Sequence, residues 1–135
     1  MEIALAKEGD FSAIRKYDCH IPANRLIACI GAHQVYILRD GSRVVGVLRY
    51  SLFWQSIPFL DLMYLDEAYR GKGYGRQMMA QWEQDMKRGG FSHCMLSTQA
   101  DESGKFFYEK LGYRQIGAFL PPDQAADELM YLKAF

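Results

Sequence analysis

Tyr69-Arg70-Gly71-Lys72-Gly73-Tyr74-Gly75-Arg76 is the stretch from which the rest of the chain can be read. Before it lies an apolar run, residues 59–65, opened by Pro58. After it Tyr74, Met78, Trp82 and Met86 recur every four residues, one stripe of an amphipathic helix. The octapeptide is therefore a strand-to-helix turn. Its glycines let backbone N–H groups close on an anion without side-chain obstruction. N–H groups at a helix start have no partner within the helix, and the helix dipole favours negative charge there. Lys72 and Arg76 add positive charge. One reading is a phosphate cradle; the other is a tight turn and nothing more. Two better-known glycine motifs fit less well. The dinucleotide fingerprint wants another spacing and an acidic residue about 20 residues on, and the P-loop wants Gly-Lys followed by Ser or Thr. Here Lys72 sits between glycines and no Ser or Thr follows.

Working outward, Ile3 and Leu5 alternate with Glu2 and Ala4, as in a short strand. Asp10 is placed to cap a helix with Phe11, Ile14 and Tyr17 on one face. Pro22 suits the first turn of a second helix, which presents Leu26, Ile27 and Ile30 and stops near Gly31. Two β-rich runs, residues 34–39 and 43–53, flank Asp40-Gly41, a hairpin signal because both residues tolerate positive φ. The run 59–65, apolar on both faces, reads as a central, doubly buried strand. Downstream, Gly89-Gly90 ends the amphipathic helix. Residues 93–97 read as a strand and 103–111 as a helix stopped at Gly112. Residues 113–119 and 128–132 are the last two strands, with Pro121-Pro122 between them. The order is β-α-α-β-β-β-α-β-α-β-β, a mixed α/β sheet.

A chain of 135 residues, half of them apolar, fits one domain spanning residues 1–135. The formal net charge is zero, so nothing electrostatic points to nucleic acid. The three cysteines, Cys19, Cys29 and Cys94, form no C-x-x-C pair and read as reduced thiols. His20, His33 and His93 are scattered without metal-ligand spacing, and no metal is expected. The amino terminus has no basic stretch followed by a long apolar run, and no apolar run approaches the roughly 18 residues a membrane span needs. A cytoplasmic protein without membrane partners is the expectation.

Arg70-Gly71-Lys72-Gly73-Tyr74-Gly75 resembles the Gln/Arg-x-x-Gly-x-Gly/Ala signature of the GNAT N-acetyltransferases, and Tyr64-Leu65-Asp66-Glu67-Ala68-Tyr69 looks like that family's strand end leading into the loop. Phe107-Tyr108-Glu109-Lys110-Leu111-Gly112-Tyr113 is similar to the family's second hallmark, Phe-Tyr-x-x-x-Gly-Phe. The interval between the two holds one helix, one strand and a second helix, as in the family, and the full element order matches as well. The resemblance implies a GNAT-like mixed, mostly antiparallel twisted sheet flanked by about four helices. It implies acetyl-CoA as co-substrate, with Arg70, Gly71, Lys72, Gly73, Tyr74, Gly75 and Arg76 around the pyrophosphate and the main chain of Met63 and Leu65 along the pantetheine arm. The sequence departs from the family where Asn and Ala often precede the tyrosine. Asp101 and Gly104 stand there, so Asp101, or nearby Thr98 or Gln99, takes over the pantetheine contact.

Acetyl transfer needs an uncharged amine, stabilisation of negative charge on the carbonyl oxygen, and departure of a thiolate. Proximity supplies much of the acceleration. By resemblance, the backbone N–H of Met63 is the oxyanion donor and the Tyr108 hydroxyl protonates the leaving thiolate, as a phenol still protonated at neutral pH is able to do. A packed helical tyrosine is the plainer alternative. Asp61, a carboxylate inside an apolar run, must be paired or functional. It is a candidate base or amine anchor, sharing strand parity with Met63; a structural hydrogen-bonding role is the alternative. Glu67 and a water chain are other routes for the proton. Tyr36, Tyr50, Phe53 and Trp54 are candidate walls of the acceptor pocket or simply core.

The expected function is N-acetyl transfer to a primary amine of a small molecule or peptide, by direct attack in a ternary complex. The competing readings are a catalytically inactive acyl-CoA-binding sensor or interaction module, an acetyltransferase of protein amino groups, and an unrelated nucleotide binder. A sheet edge near the carboxyl terminus is a candidate for pairing two subunits into a homodimer.

Overall fold

The computed structural model describes residues 1–135. The chain forms two compact units, Met1–Ser51 with Asp61–Asp85, and Leu52–Leu60 with Met86–Phe135. The first holds β1 (Glu2–Leu5), a 3-10 turn (Glu8–Asp10), α1 (Phe11–Arg15), α2 (Ala23–Gly31), β2 (Val35–Asp40), and most of β3 (Arg43–Phe53). It also holds the end of β4 (Ile57–Leu65) and most of α3 (Tyr74–Arg88). The second holds the start of β4, then β5 (His93–Gln99), α4 (Gly104–Lys110), β6 (Arg114–Phe119) and β7 (Glu128–Ala134). Element types and order agree with the sequence reading throughout.

Strand order is β1-β2-β3-β4 in the first unit and β4-β5-β7-β6 in the second. The β1–β2, β2–β3, β5–β7 and β6–β7 pairs are antiparallel. The β4–β5 pair is parallel, with Phe59 opposite Met95 and Leu60 opposite Leu96. A parallel pair cannot be joined by a hairpin and needs a crossover; α3 is that crossover. Asp40 and Gly41 make the β2–β3 turn, with Gly41 at φ 60°. Gly90 ends the segment after α3 at φ 94°, its N–H reaching the Lys87 carbonyl at 3.1 Å.

In the first unit Ile14, Leu26, Ile30, Val35, Ile37 and Val47 form one buried cluster. The stripe on α3 is fully buried at Met78 and Trp82, and Met79 joins them. Each such side chain contributes about 1.5–3 kcal/mol through burial. In the second unit Cys94, Leu96 and Tyr131 are buried, and Tyr131 donates its hydroxyl to Glu109 on α4 at 2.9 Å.

Three local expectations are corrected. Asp10 does not cap α1 with its side chain. It ends the preceding 3-10 turn, where its carboxylate accepts the Lys7 N–H at 2.8 Å and the Arg39 guanidinium at 2.7 Å. Ile27 faces outward at 51% exposure while Leu26 and Ile30 face inward, because nine residues of helix bury a narrower stripe than the pattern suggested. Nor is β4 doubly buried: only Pro58 and Leu60 are buried, and Asp61 and Tyr64 are exposed.

Candidate active site

The end of β4 sets the geometry of the first unit's site. The Asp66 N–H bonds the Val45 carbonyl at 2.8 Å. Successive N–H groups along a strand point to alternate sides, so those of Met63 and Leu65 point away from β3. The alternation of side chains is broken just upstream. Leu62 packs on the cluster holding Ile14 and Leu26, and Tyr64 stacks on Tyr17 at 5.1 Å. Asp61 reaches Arg49, two residues along β3 from Val47 of that same cluster. Asp61 and Leu62 therefore both turn toward the α1–α2 side, a break of the kind a bulge makes. The expected shared face of Asp61 and Met63 is thus corrected. The break also opens the backbone. Asp61 is an exposed residue although its side chain keeps only 24% of its surface, so the open part is main chain.

The loop after β4 has two residues in the left-handed region, which favours glycine. Gly71 lies at φ 71° and Gly73 at φ 88°, and a Cβ built on either meets nothing within 4 Å. The space in front of the loop is open, and α3 begins at Tyr74, with the Gln77 N–H bonded to Gly73 O at 3.1 Å. The N–H groups of that first turn have no partner within the helix. Lys72 and Arg76 are exposed and make no ion pair, and Gly75 is buried behind them. The cavity of about 600 Å3 beside the loop is lined by Asp40, Asp66 and Glu67 as well as Arg43 and Lys72, so it does not suit an anion. The open turn, its free N–H groups and its two exposed cations fit a diphosphate. Arg70 is placed differently: its Nε donates to Leu65 O at 2.9 Å and its guanidinium lies over the Tyr64 ring at 5.1 Å. It braces the turn to the strand end.

Asp61 belongs to a cluster that sequence reasoning did not assemble. The Arg49 Nε donates to Asp18 Oδ2 at 2.6 Å, and Arg49 Nη1 stands 3.5 Å from Asp61 Oδ2. Asp18 is fully buried and Arg49 nearly so. Removing one partner of such a pair costs about 3–5 kcal/mol, because the other charge is left buried alone. Burial pushes the Asp61 carboxyl above the ordinary range, against a Ser51 hydrogen bond and the Arg49 charge that pull it down. The only sequence signal was a buried-looking Arg49 between valines, leucine and tyrosine on β3; its partners lie 31 and 12 residues away in opposite directions.

In the second unit Tyr108 lies on α4, packed edge-on against Phe107 at 5.1 Å and Tyr113 at 6.2 Å. Burial alone pushes its phenol up to about 12, so it is protonated throughout the neutral range. At Gly104 an added Cβ would stand 3.1 Å from Thr98 Oγ1, a tight contact that the Thr98 side chain would have to relieve. Asp101 is exposed in the turn after β5, while Thr98 is buried. Of the four aromatic candidates for the acceptor pocket, Tyr36 is core and Tyr50 is half-buried. Tyr36 is buried and donates its hydroxyl to Asp85 at 2.7 Å, and Tyr50 packs on Trp82 at 5.8 Å. Phe53 and Trp54 line an apolar groove of the second unit with Met95, Phe119 and Met130. Glu67 opens the 3-10 turn after β4.

Residues 31–115, more than half the chain, match the acetyltransferase (GNAT) domain. The chain belongs to the GNAT acetyltransferase family. No curated protein matches it in sequence. Solved structures show the same GNAT fold over nearly the whole chain. The ribosomal-protein-alanine N-acetyltransferase of Brucella melitensis superposes with a TM-score of 0.84 at 16% identity, covering 100% of both chains. The PaiA N-acetyltransferase of Thermoplasma acidophilum, in complex with coenzyme A, gives 0.81 at 18% identity, covering 99% of this chain and 98% of that one. YncA of Salmonella typhimurium, with its cofactor acetyl-CoA, gives 0.81 at 16% identity, covering 98% and 92%. This GNAT domain therefore has the acetyltransferase fold, with an open two-glycine loop at the end of β4 and a protonated phenol on α4.

Proposed function

We propose that the protein is an acetyl-CoA-dependent N-acetyltransferase acting on a primary amine of a small molecule or peptide, by direct attack within a ternary complex. The observation that supports it most is the end of β4. Two main-chain N–H groups, Met63 and Leu65, point away from β3 and lead into a loop whose glycines leave open space before a helix start. Acetyl-CoA supplies a thioester: the amine nitrogen bonds to its carbonyl carbon, the carbon–sulfur bond breaks, and the amine's proton is lost. The Met63 N–H stabilises the negative charge gathering on the carbonyl oxygen. Leu65 extends the same edge, added-strand fashion, along the pantetheine arm. Gly71, Lys72, Gly73, Tyr74, Gly75 and Arg76 hold the pyrophosphate, with Arg70 securing the turn. Asp101, on the turn after β5, reaches for the pantetheine. Asp61 orients the amine and accepts its proton. Tyr108 donates a proton to the departing thiolate sulfur. The three free cysteines fit a reducing cytoplasm.

Calorimetric titration with acetyl-CoA tests the reading, repeated on Gly73→Val. Saturable binding by the wild type, weakened at least about tenfold in the variant by the filled cradle and the strained β-branched residue at positive φ, is the expected result. No binding by folded wild-type protein would remove the co-substrate. Release of free thiol from acetyl-CoA, followed across a set of amines, then identifies the acceptor.

A further inference from the structure

Outside the glycine loop, the first unit carries a chain of charges, Asp18–Arg49–Asp61. Its three side chains grade from inside to outside, with 0%, 9% and 24% of their surface exposed. Its contacts grade as well. Arg49 gives Asp18 two of its nitrogens, Nε at 2.6 Å and Nη2 at 3.4 Å, a fork held from the interior. It gives Asp61 only Nη1, at 3.5 Å. That distance is beyond a good hydrogen bond, so Asp61 feels the charge while the lone pairs that Ser51 does not take stay available.

We propose that Asp18 and Arg49 are positioning residues for Asp61: Asp18 fixes the guanidinium from within and takes up part of its charge, and the guanidinium's outer nitrogen holds the Asp61 carboxylate aimed at the acceptor amine. The proposal rests on the reading of Asp61 as amine anchor and base. The groups facing Asp61 are few. From β3 come the Ser51 hydroxyl and Arg49, and from the segment after α1 comes Asp18. The Cys29 thiol of α2 is pushed up by burial and feels the same three charges together with Arg25 of its own helix, and it is neutral at neutral pH. With two carboxylates on one guanidinium, the proton affinity of Asp61 is a balance. Burial and Asp18 raise it; Ser51 and Arg49 lower it. Asp18 acts twice, by its own charge and by occupying the guanidinium.

The test follows the Asp61 carboxyl by carbon-13 NMR over a pH titration, its signal assigned with Asp61→Asn. In Asp18→Asn the guanidinium faces Asp61 alone and the like charge is gone. The Asp61 midpoint falls by about one pH unit or more, and the acid limb of kcat/KM moves down with it while acetyl-CoA affinity holds. In Arg49→Lys a shorter, unforked ammonium stays with Asp18, and the Asp61 midpoint rises. Unmoved midpoints in the folded variants overturn the proposal. A further readout needs no variant: the Arg49 guanidinium nitrogen-15 signals of the wild type must shift with the Asp61 midpoint, and a flat trace overturns the proposal whether or not the variants fold. Rates are taken as thiol release from acetyl-CoA with a mixture of phenethylamine, an aliphatic diamine and an alanine-initiated peptide. Normal turnover in Asp61→Asn sinks the underlying reading of Asp61. Impaired Asp61→Asn with an unshifted Asp18→Asn sinks the positioning alone.

Discussion

Tyr108 keeps its proton because burial raises the phenol to about 12. Tyr108→Phe removes a proton donor and little else, since the ring packing on Phe107 and Tyr113 survives. Turnover should drop about 100-fold, the lower end of general acid catalysis, with acetyl-CoA affinity held within about twofold by calorimetry. Asp61 shows the opposite balance. Its folded-state value lies above the unfolded one, so the native state binds this proton more tightly. The stability it contributes is therefore greatest at low pH and is lost as pH rises through the folded value. At pH 7 the ionised side chain is a burden on the fold. Asp61→Asn should accordingly melt at a temperature no lower than the wild type at pH 7 while losing turnover, a trade of stability for function; thermal melts and kinetics on one preparation check both halves.

At the scale of elements, β3 and β4 meet through a glycine. A Cβ on Gly46 would stand 2.6 Å from Leu65 Cδ2, 3.2 Å from Leu38 Cβ and 3.3 Å from the Tyr64 carbonyl. Gly46→Ala therefore makes the Leu65 side chain turn aside and presses on Leu38 and the Tyr64 carbonyl, just before the glycine loop. It should cost about 1–3 kcal/mol by overpacking, measured by denaturant unfolding, and weaken acetyl-CoA binding as well. The elements themselves were legible because their periods are strong. Tyr74, Met78, Trp82 and Met86 name α3 without help, and Asp40-Gly41 names the β2–β3 turn. The break of alternation at Asp61 and Leu62 was not legible, because period-two reasoning presumes a regular strand. Nor was the pairing of Asp18 with Arg49, which only the packing of α1 against β3 creates. Tyr36 and Tyr50 were ambiguous for a related reason: an aromatic side chain looks the same in sequence whether it faces a ligand or Trp82.

At the scale of the molecule, a zero formal charge and a sequence pI of about 6.8 leave no net repulsion between copies at neutral pH. Solubility should be lowest near that pH and rise on either side, which turbidity at high concentration would measure. The same balance makes the outermost strand of the second unit matter. β6 stands last in the order and all six of its residues are exposed. Its pairing with β7 skips Ile116: Gln115 faces Tyr131 and Gly117 faces Met130. An extra residue twists an edge and spoils it as a template for another strand. That disfavours the expected pairing of subunits through this edge. Ile116 then keeps that edge irregular: shortening β6 by that one residue should restore an unbroken ladder and leave a flatter edge for another strand to join.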